Sequence, residues 1–151
     1  MLGPNQVQLR SAKEKNPMVS LENVEGIGKI SAQKLSWAGI ESTDSLLERG
    51  ATRRGRQIIA GETGLSSKRI LEWVNRVDLF RIKGVGEEYA DLLEAAGVDS
   101  VMELALRNPE NLTEKIAEIN QQKDLVRRQP SLKVVKRWIT EAQKLPRVVE
   151  Y

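Results

Sequence analysis

Apolar residues recur along this chain at the spacing of helix faces, and nowhere do they alternate convincingly with polar ones as a half-buried strand requires. Val134, Val135, Trp138, Ile139, Ala142 and Leu145 draw one amphipathic stripe, which Pro146 must end. Ile30 to Ala38 and Glu88 to Ala96 bring small or apolar residues to one face in the same way, as Ala90, Leu93 and Ala96 show. Gly39 and Gly97 follow those two segments, where glycine accepts the left-handed conformation of a C-terminal cap. Ser42 and Ser100 start the next helices, and Asn108-Pro109 sets a capping side chain before a proline suited to the first helical position. Ser20 and Asp78, both good N-cap types, open short apolar turns that end at paired glycines. The predicted class is all-α.

Sliding the chain against itself by 58 positions lays Ser20–Leu47 over Asp78–Ala105 with 9 identities in 28 positions and no gap. The identities include Gly26/Gly84, Gly28/Gly86, Ala32/Ala90, Leu35/Leu93, Gly39/Gly97 and Leu46/Leu104. Trp73 and Trp138 take equivalent places once the second copy carries seven extra residues, within the polar stretch 120–130. Such self-similarity predicts an internal duplication. A polar arm, 1–19, precedes a first unit over 20–77 and a second over 78–146, with a tail at 147–151.

Composition narrows the chemistry. The 151 residues contain no cysteine and no histidine, which removes disulfides, thiolate or imidazole metal sites, cysteine nucleophiles and imidazole bases. No apolar run approaches the roughly 18 residues that span a bilayer, and Met1 to Ser20 lacks a signal-peptide core, so the expectation is a soluble, cytoplasmic protein without membrane partners. The net charge of +3 conceals a pattern: residues 81–118 carry 4 basic and 9 acidic side chains, whereas 119–151 carry 8 and 3. A polyanion would be drawn to the ends of the sequence and repelled by its middle.

The cores of the repeat are Val24-Glu25-Gly26-Ile27-Gly28-Lys29 and Ile82-Lys83-Gly84-Val85-Gly86-Glu87. Turns this tight exclude side chains at two positions, and their central apolar residue can anchor them in a core. Backbone N–H groups at the start of the following helix can then hold a phosphate oxygen, aided by the helix dipole, without reading base sequence. A dinucleotide fingerprint is excluded, because Ser31 stands where a third glycine is needed and no strand precedes.

Both cores resemble the helix-hairpin-helix motif, apolar-x-Gly-apolar-Gly-x-x-x-Ala, with Ala32 and Ala90 at the final position. The resemblance implies five-helix, SAM-like units in which two hairpins pack around a connecting helix. Arg53 to Ala60, Gly61 to Leu65 and Ser66 to Arg76 would then form a degenerate second hairpin in the first unit. Leu21 to Leu145 also resembles a bacterial family of tandem units catalogued as a domain of unknown function, through Arg81-Ile82-Lys83-Gly84-Val85-Gly86-Glu87-Glu88-Tyr89-Ala90 and Ala95-Ala96-Gly97-Val98. Its nearest functional analogy is to the nucleic-acid-binding hairpins of repair proteins and polymerases.

The residues expected to face nucleic acid are Gly26, Ile27, Gly28, Lys29, Lys34, Arg53, Arg54, Arg56, Lys68 and Arg69, with Arg49 nearby and Arg127, Arg128, Lys133, Lys136 and Arg137 as an extension. Gly84, Val85, Gly86, Glu87 and Glu88 place carboxylates where a phosphate would sit, so the second hairpin is expected to be structural or partner-binding. Glu87, Glu88, Asp91 and Glu94 read as a charged helix face in preference to a magnesium site. Of the three tryptophans that could serve as base-stacking platforms, Trp73 and Trp138 sit on apolar helix faces and read as core, while Trp37, matched by Ala95 in the other copy, is left open between the two readings. The expected function is a non-enzymatic module that grips nucleic-acid backbone, DNA ahead of RNA, with no cofactor, metal or small-molecule substrate. A protein-interaction scaffold that keeps the fold, docking a basic partner on the acidic helix, is the alternative.

Overall fold

The computed structural model describes residues 20–151, and the expected arm at 1–19 lies outside them. A 3₁₀ turn, Leu21–Asn23, is followed by eight α-helices: α1 (Gly28–Trp37), α2 (Thr43–Gly50), α3 (Arg53–Thr63), α4 (Ser67–Leu79), α5 (Glu87–Ala95), α6 (Val101–Ala105), α7 (Pro109–Lys123) and α8 (Leu132–Lys144). The described residues include no strand, so the all-α expectation holds.

Ser42, Ser100 and Asn108 start helices as expected, and three further starts are capped in the same way. Ser42, Thr52, Ser66, Ser100, Asn108 and Ser131 each accept a hydrogen bond from a backbone N–H in the first turn of the helix they precede. Caps of this kind contribute about 1 kcal/mol each. Pro109 sits at the first position of α7, and α8 ends one residue before Leu145. Gly39 and Gly97 stand in the left-handed region just beyond α1 and α5, as cap glycines should.

Asp78 departs from expectation. Its carbonyl does open the second turn, accepting from the Arg81 N–H at 3.1 Å, but its side chain caps no helix: α4 runs through it to Leu79, and its buried carboxylate accepts a 2.6 Å bond from Arg81 Nε. No glycine or proline interrupts 67–83, so the stripe Ile70, Trp73, Val74 and Val77 carries the helix across the boundary expected at 77/78. No linker separates the two halves.

Two apolar clusters form the interior. One gathers Leu21, Val24, Ile27, Leu35, Ile40, Leu46, Ile59, Ile70, Trp73, Val74 and Val77; the other gathers Leu79, Ile82, Val85, Leu92, Leu93, Val98, Leu104, Leu112, Ile116, Val135, Trp138 and Ile139. Phe80, directly after α4, packs against both. The C-terminal residues form no loose tail. Val149 is buried in the N-terminal cluster, the Glu150 N–H donates to the Ala51 carbonyl at 2.7 Å, and the Tyr151 hydroxyl bonds Asn75 Oδ1 at 2.8 Å.

The candidate nucleic-acid interface

The two glycine turns share a hydrogen-bond pattern up to their central apolar residue. Asn23, Val24 and Ile27 donate to the carbonyls of Ser20, Leu21 and Val24, and 58 residues later Arg81, Ile82 and Val85 donate to Asp78, Leu79 and Ile82. Beyond the turns, Ile40 bonds Leu35 at 2.9 Å and Val98 bonds Leu93 at 2.8 Å. Gly26 and Gly84 both have φ +88°, a region L side chains resist. An indole nitrogen lies below each: a Cβ on Gly26 would stand 3.2 Å from Trp73 Nε1, and one on Gly84 would stand 3.6 Å from Trp138 Nε1. Arg49 donates to the Ala38 carbonyl and Arg107 to the Gly97 carbonyl, so each arginine caps the C-terminus of the helix that follows its turn.

The turns differ at their second glycine and in charge. Gly28 has φ +66° and begins α1, and a Cβ there would meet no atom within 4 Å. Gly86 takes an extended φ of −101° and precedes α5. Among the α-helices, only α1 and α5 lack a side-chain cap, so both leave first-turn amides without that partner. At α1 the adjoining side chain is the exposed Lys29; at α5 it is Glu87, followed by the exposed Glu88. The second turn also holds an internal anion, because the Lys83 N–H donates to Glu141 Oε2 at 3.0 Å.

The ten predicted interface residues do not form one surface. Ile27 is buried as the anchor of its turn. Lys29 and Lys68 are exposed, and Lys34 is half-buried. Arg69 donates to the Gly26 carbonyl at 2.9 Å and lies over the Trp73 ring, 5.2 Å from its centroid. Arg53 and Arg54 are exposed at the start of α3, about 15 Å along the helix from the end that Lys68 follows. Arg56 is a correction: it is 4% exposed, and its guanidinium is bound by the carbonyls of Gly50, Ala51 and Glu150 at 2.9, 3.0 and 2.5 Å. Its reach inward was hidden because one of its partners lies 94 residues away. Arg127, Arg128, Lys133, Lys136 and Arg137 are exposed, with Lys136 3.6 Å from Glu110.

Arg76 was not singled out and is the electrostatic centre between the halves. Nearly buried on α4, it forms ion pairs with Asp91 and Glu94 of α5. Burial draws its guanidinium below its ordinary pKa, while Glu25 and Glu87 act in the opposite sense. Burial also pushes the Glu87 carboxyl up against the pull of Arg76, and Glu88 and Glu25 add to the rise. A cleft of about 480 Å³ opens beside Arg76, walled by Glu25, Gly26, Arg69, Glu72, Trp73, Asn75, Glu94 and Asp99. The Gly26 side of the first turn thus faces carboxylates, which leaves Gly28, Lys29 and Lys34 as the part that suits an anion. Among the described residues no three carboxylates are grouped to hold a metal ion.

Sequence reasoning also passed over Ile30, which is 74% exposed and shares a face of α1 with Trp37, 76% exposed. The signal was available as a second apolar stripe on that helix. Trp73 and Trp138 are buried, as expected.

Fold and site together describe an all-helical protein with paired glycine turns of unequal charge. A family model matches residues 25–145, and the chain belongs to that family, described as "Domain of unknown function (DUF4332)". Neither a curated protein nor a solved structure matches the chain. Among the described residues no helix is long and apolar enough to cross a membrane.

Proposed function

We propose that the chain is a tandem helix-hairpin-helix protein, two units related by duplication, whose first unit grips nucleic-acid backbone without sequence preference and without catalysis. The hydrogen bonds repeated at a 58-residue offset and the paired tryptophans under the glycines support the architecture. One observation carries the function: α1 starts at an unobstructed Gly28 with no side-chain cap and an exposed Lys29 beside it. Amides at a helix start, a favourable dipole end and a lysine form an anion site suited to a phosphate oxygen. The opposite charge at Glu87 and Glu88 makes the second turn repel the same ligand.

The scaffold reading relies on the acidic face of α5, yet Asp91 and Glu94 are already paired with Arg76 of the same chain. Backbone binding is therefore the better-supported function, with DNA ahead of RNA. Fluorescence anisotropy with labelled DNA at 50 and 200 mM salt tests it. Affinity should lie at roughly 10⁻⁴ to 10⁻⁶ M near physiological salt and weaken as salt rises. Lys29→Glu combined with Lys34→Glu should lower it by at least about tenfold, since each lost phosphate contact removes a counterion-release contribution. Absence of binding at 50 mM salt, or an unchanged double variant, would refute the proposal.

A further inference from the structure

Helix α1 carries two apolar faces. Leu35, with Ala32 packed beside it and Ile27 just before the helix, turns one toward the N-terminal core, where Ile27 and Leu35 are buried. Ile30 and Trp37, seven residues apart and hence about 20° apart around the axis, form the other, with Lys34 about 40° from Ile30 on the same side. Both apolar side chains are three-quarters exposed. The fold does not require an aromatic there: the equivalent positions on α5 are Glu88 and Ala95, and that helix still ends in the same cap. An exposed indole beside lysine, on the helix that begins at the open Gly28, matches the combination of cation and aromatic platform that binds unpaired nucleotides. Gly28 and Trp37 are nine residues apart, about 13 Å along the axis, so one short strand can reach both.

Resting on the backbone-binding reading above, we infer that the ligand of this site is single-stranded nucleic acid, with one base stacked on Trp37 while the phosphates beside it meet Lys34, Lys29 and the amide end of α1. Duplex DNA has its bases stacked inside and can engage only the phosphate part. Lone exposed apolar side chains are commonplace on protein surfaces. Here the inference rests on two of them, aligned on one turn-to-turn face with a cation between and continuous with an anion site.

The test compares oligo(dT) with a hairpin duplex by anisotropy for the wild type, Trp37→Ala, Trp37→Phe and the Lys29→Glu/Lys34→Glu pair. Trp73 and Trp138 are buried, so quenching of intrinsic fluorescence reports on Trp37. Trp37→Ala should weaken oligo(dT) binding about tenfold, leave duplex binding and the melting temperature unchanged, and abolish the quench. Trp37→Phe should retain most of the single-strand affinity. If Trp37→Ala leaves both affinities unchanged, or lowers both equally, while the lysine pair still reduces them, stacking is wrong and backbone binding stands. If the wild type binds neither nucleic acid, both proposals fall. A self-associating wild type that becomes monomeric on Trp37→Ala, with no change in oligo(dT) affinity, would also overturn the stacking role.

Discussion

The first and second glycine turns repeat one pattern of hydrogen bonds and a first glycine at φ +88°, and differ in their electrostatics. In the first, Glu25 lies near Arg76 of α4; in the second, the equivalent positions hold Lys83 and Glu141, and the Glu141 carboxylate accepts from the Lys83 amide. The pair has been inverted while the tryptophan one turn earlier, Trp73 or Trp138, keeps its place under the first glycine. Geometry at these turns is thus maintained by glycines, apolar anchors and indoles, and charge is free to vary. The second turn fills its amide with a carboxylate of its own chain. The first offers Gly28 and Lys29 to solvent.

The largest way to break the comparison is through Arg76, whose charge inverts that of Glu141. Arg76→Ala leaves Asp91 and Glu94 without their partner at the junction between the halves, and should cost about 3 kcal/mol in urea unfolding, the low end for a broken buried pair because Glu94 is half exposed. A loss below 1 kcal/mol would mean that apolar contacts alone join the halves. A smaller effect separates the second glycines. Gly28→Ala should cost about 1 kcal/mol, because φ is +66° there although space is free, whereas Gly86→Ala at −101° should be close to neutral. Equal costs, read from the same unfolding curves, would show that the two turns are strained alike.

The smallest effect concerns pH. Glu87 has its pKa raised on folding, so between its ordinary value and the raised one the folded state binds more protons than the unfolded chain. Stability then falls as pH rises through that window and is recovered on acidification toward the ordinary carboxyl range. Glu87→Gln should flatten this part of the stability profile. An unaltered slope in Glu87→Gln would assign the dependence to other buried carboxyls such as Asp78, which burial also raises against the bond and charge of Arg81.

Local features were the ones readable in advance. Cap residues, helix-stopping glycines and apolar stripes act within a few positions of one another, so Ser42, Asn108-Pro109, Gly39 and the Trp138 stripe appear where their neighbours dictate. Partnerships across the chain could not be read in this way. Arg56 resembles a surface arginine until Glu150 closes over it, and Arg76 resembles any helix cation until α5 packs against it. Asp78 misled because its residue type suits a cap, while the apolar stripe on either side already committed it to α4. Among the residues expected at the candidate interface, Gly28 and Lys29 are exposed as a local reading suggests, whereas the burial of Arg56 depends on a partner 94 residues away.

The strap formed by Val149, Glu150 and Tyr151 bears on how the protein is made. Val149 belongs to the core cluster of Leu21 and Val24, so that cluster is complete only once the chain has been made through Val149. During synthesis the N-terminal helices leave the ribosome with an unfilled seam and with the Gly50 and Ala51 carbonyls still awaiting a full set of partners around Arg56. Domains ordinarily fold as they emerge, N-terminal part first. Here the residues around Leu21 gain a core partner that is made 128 residues after them.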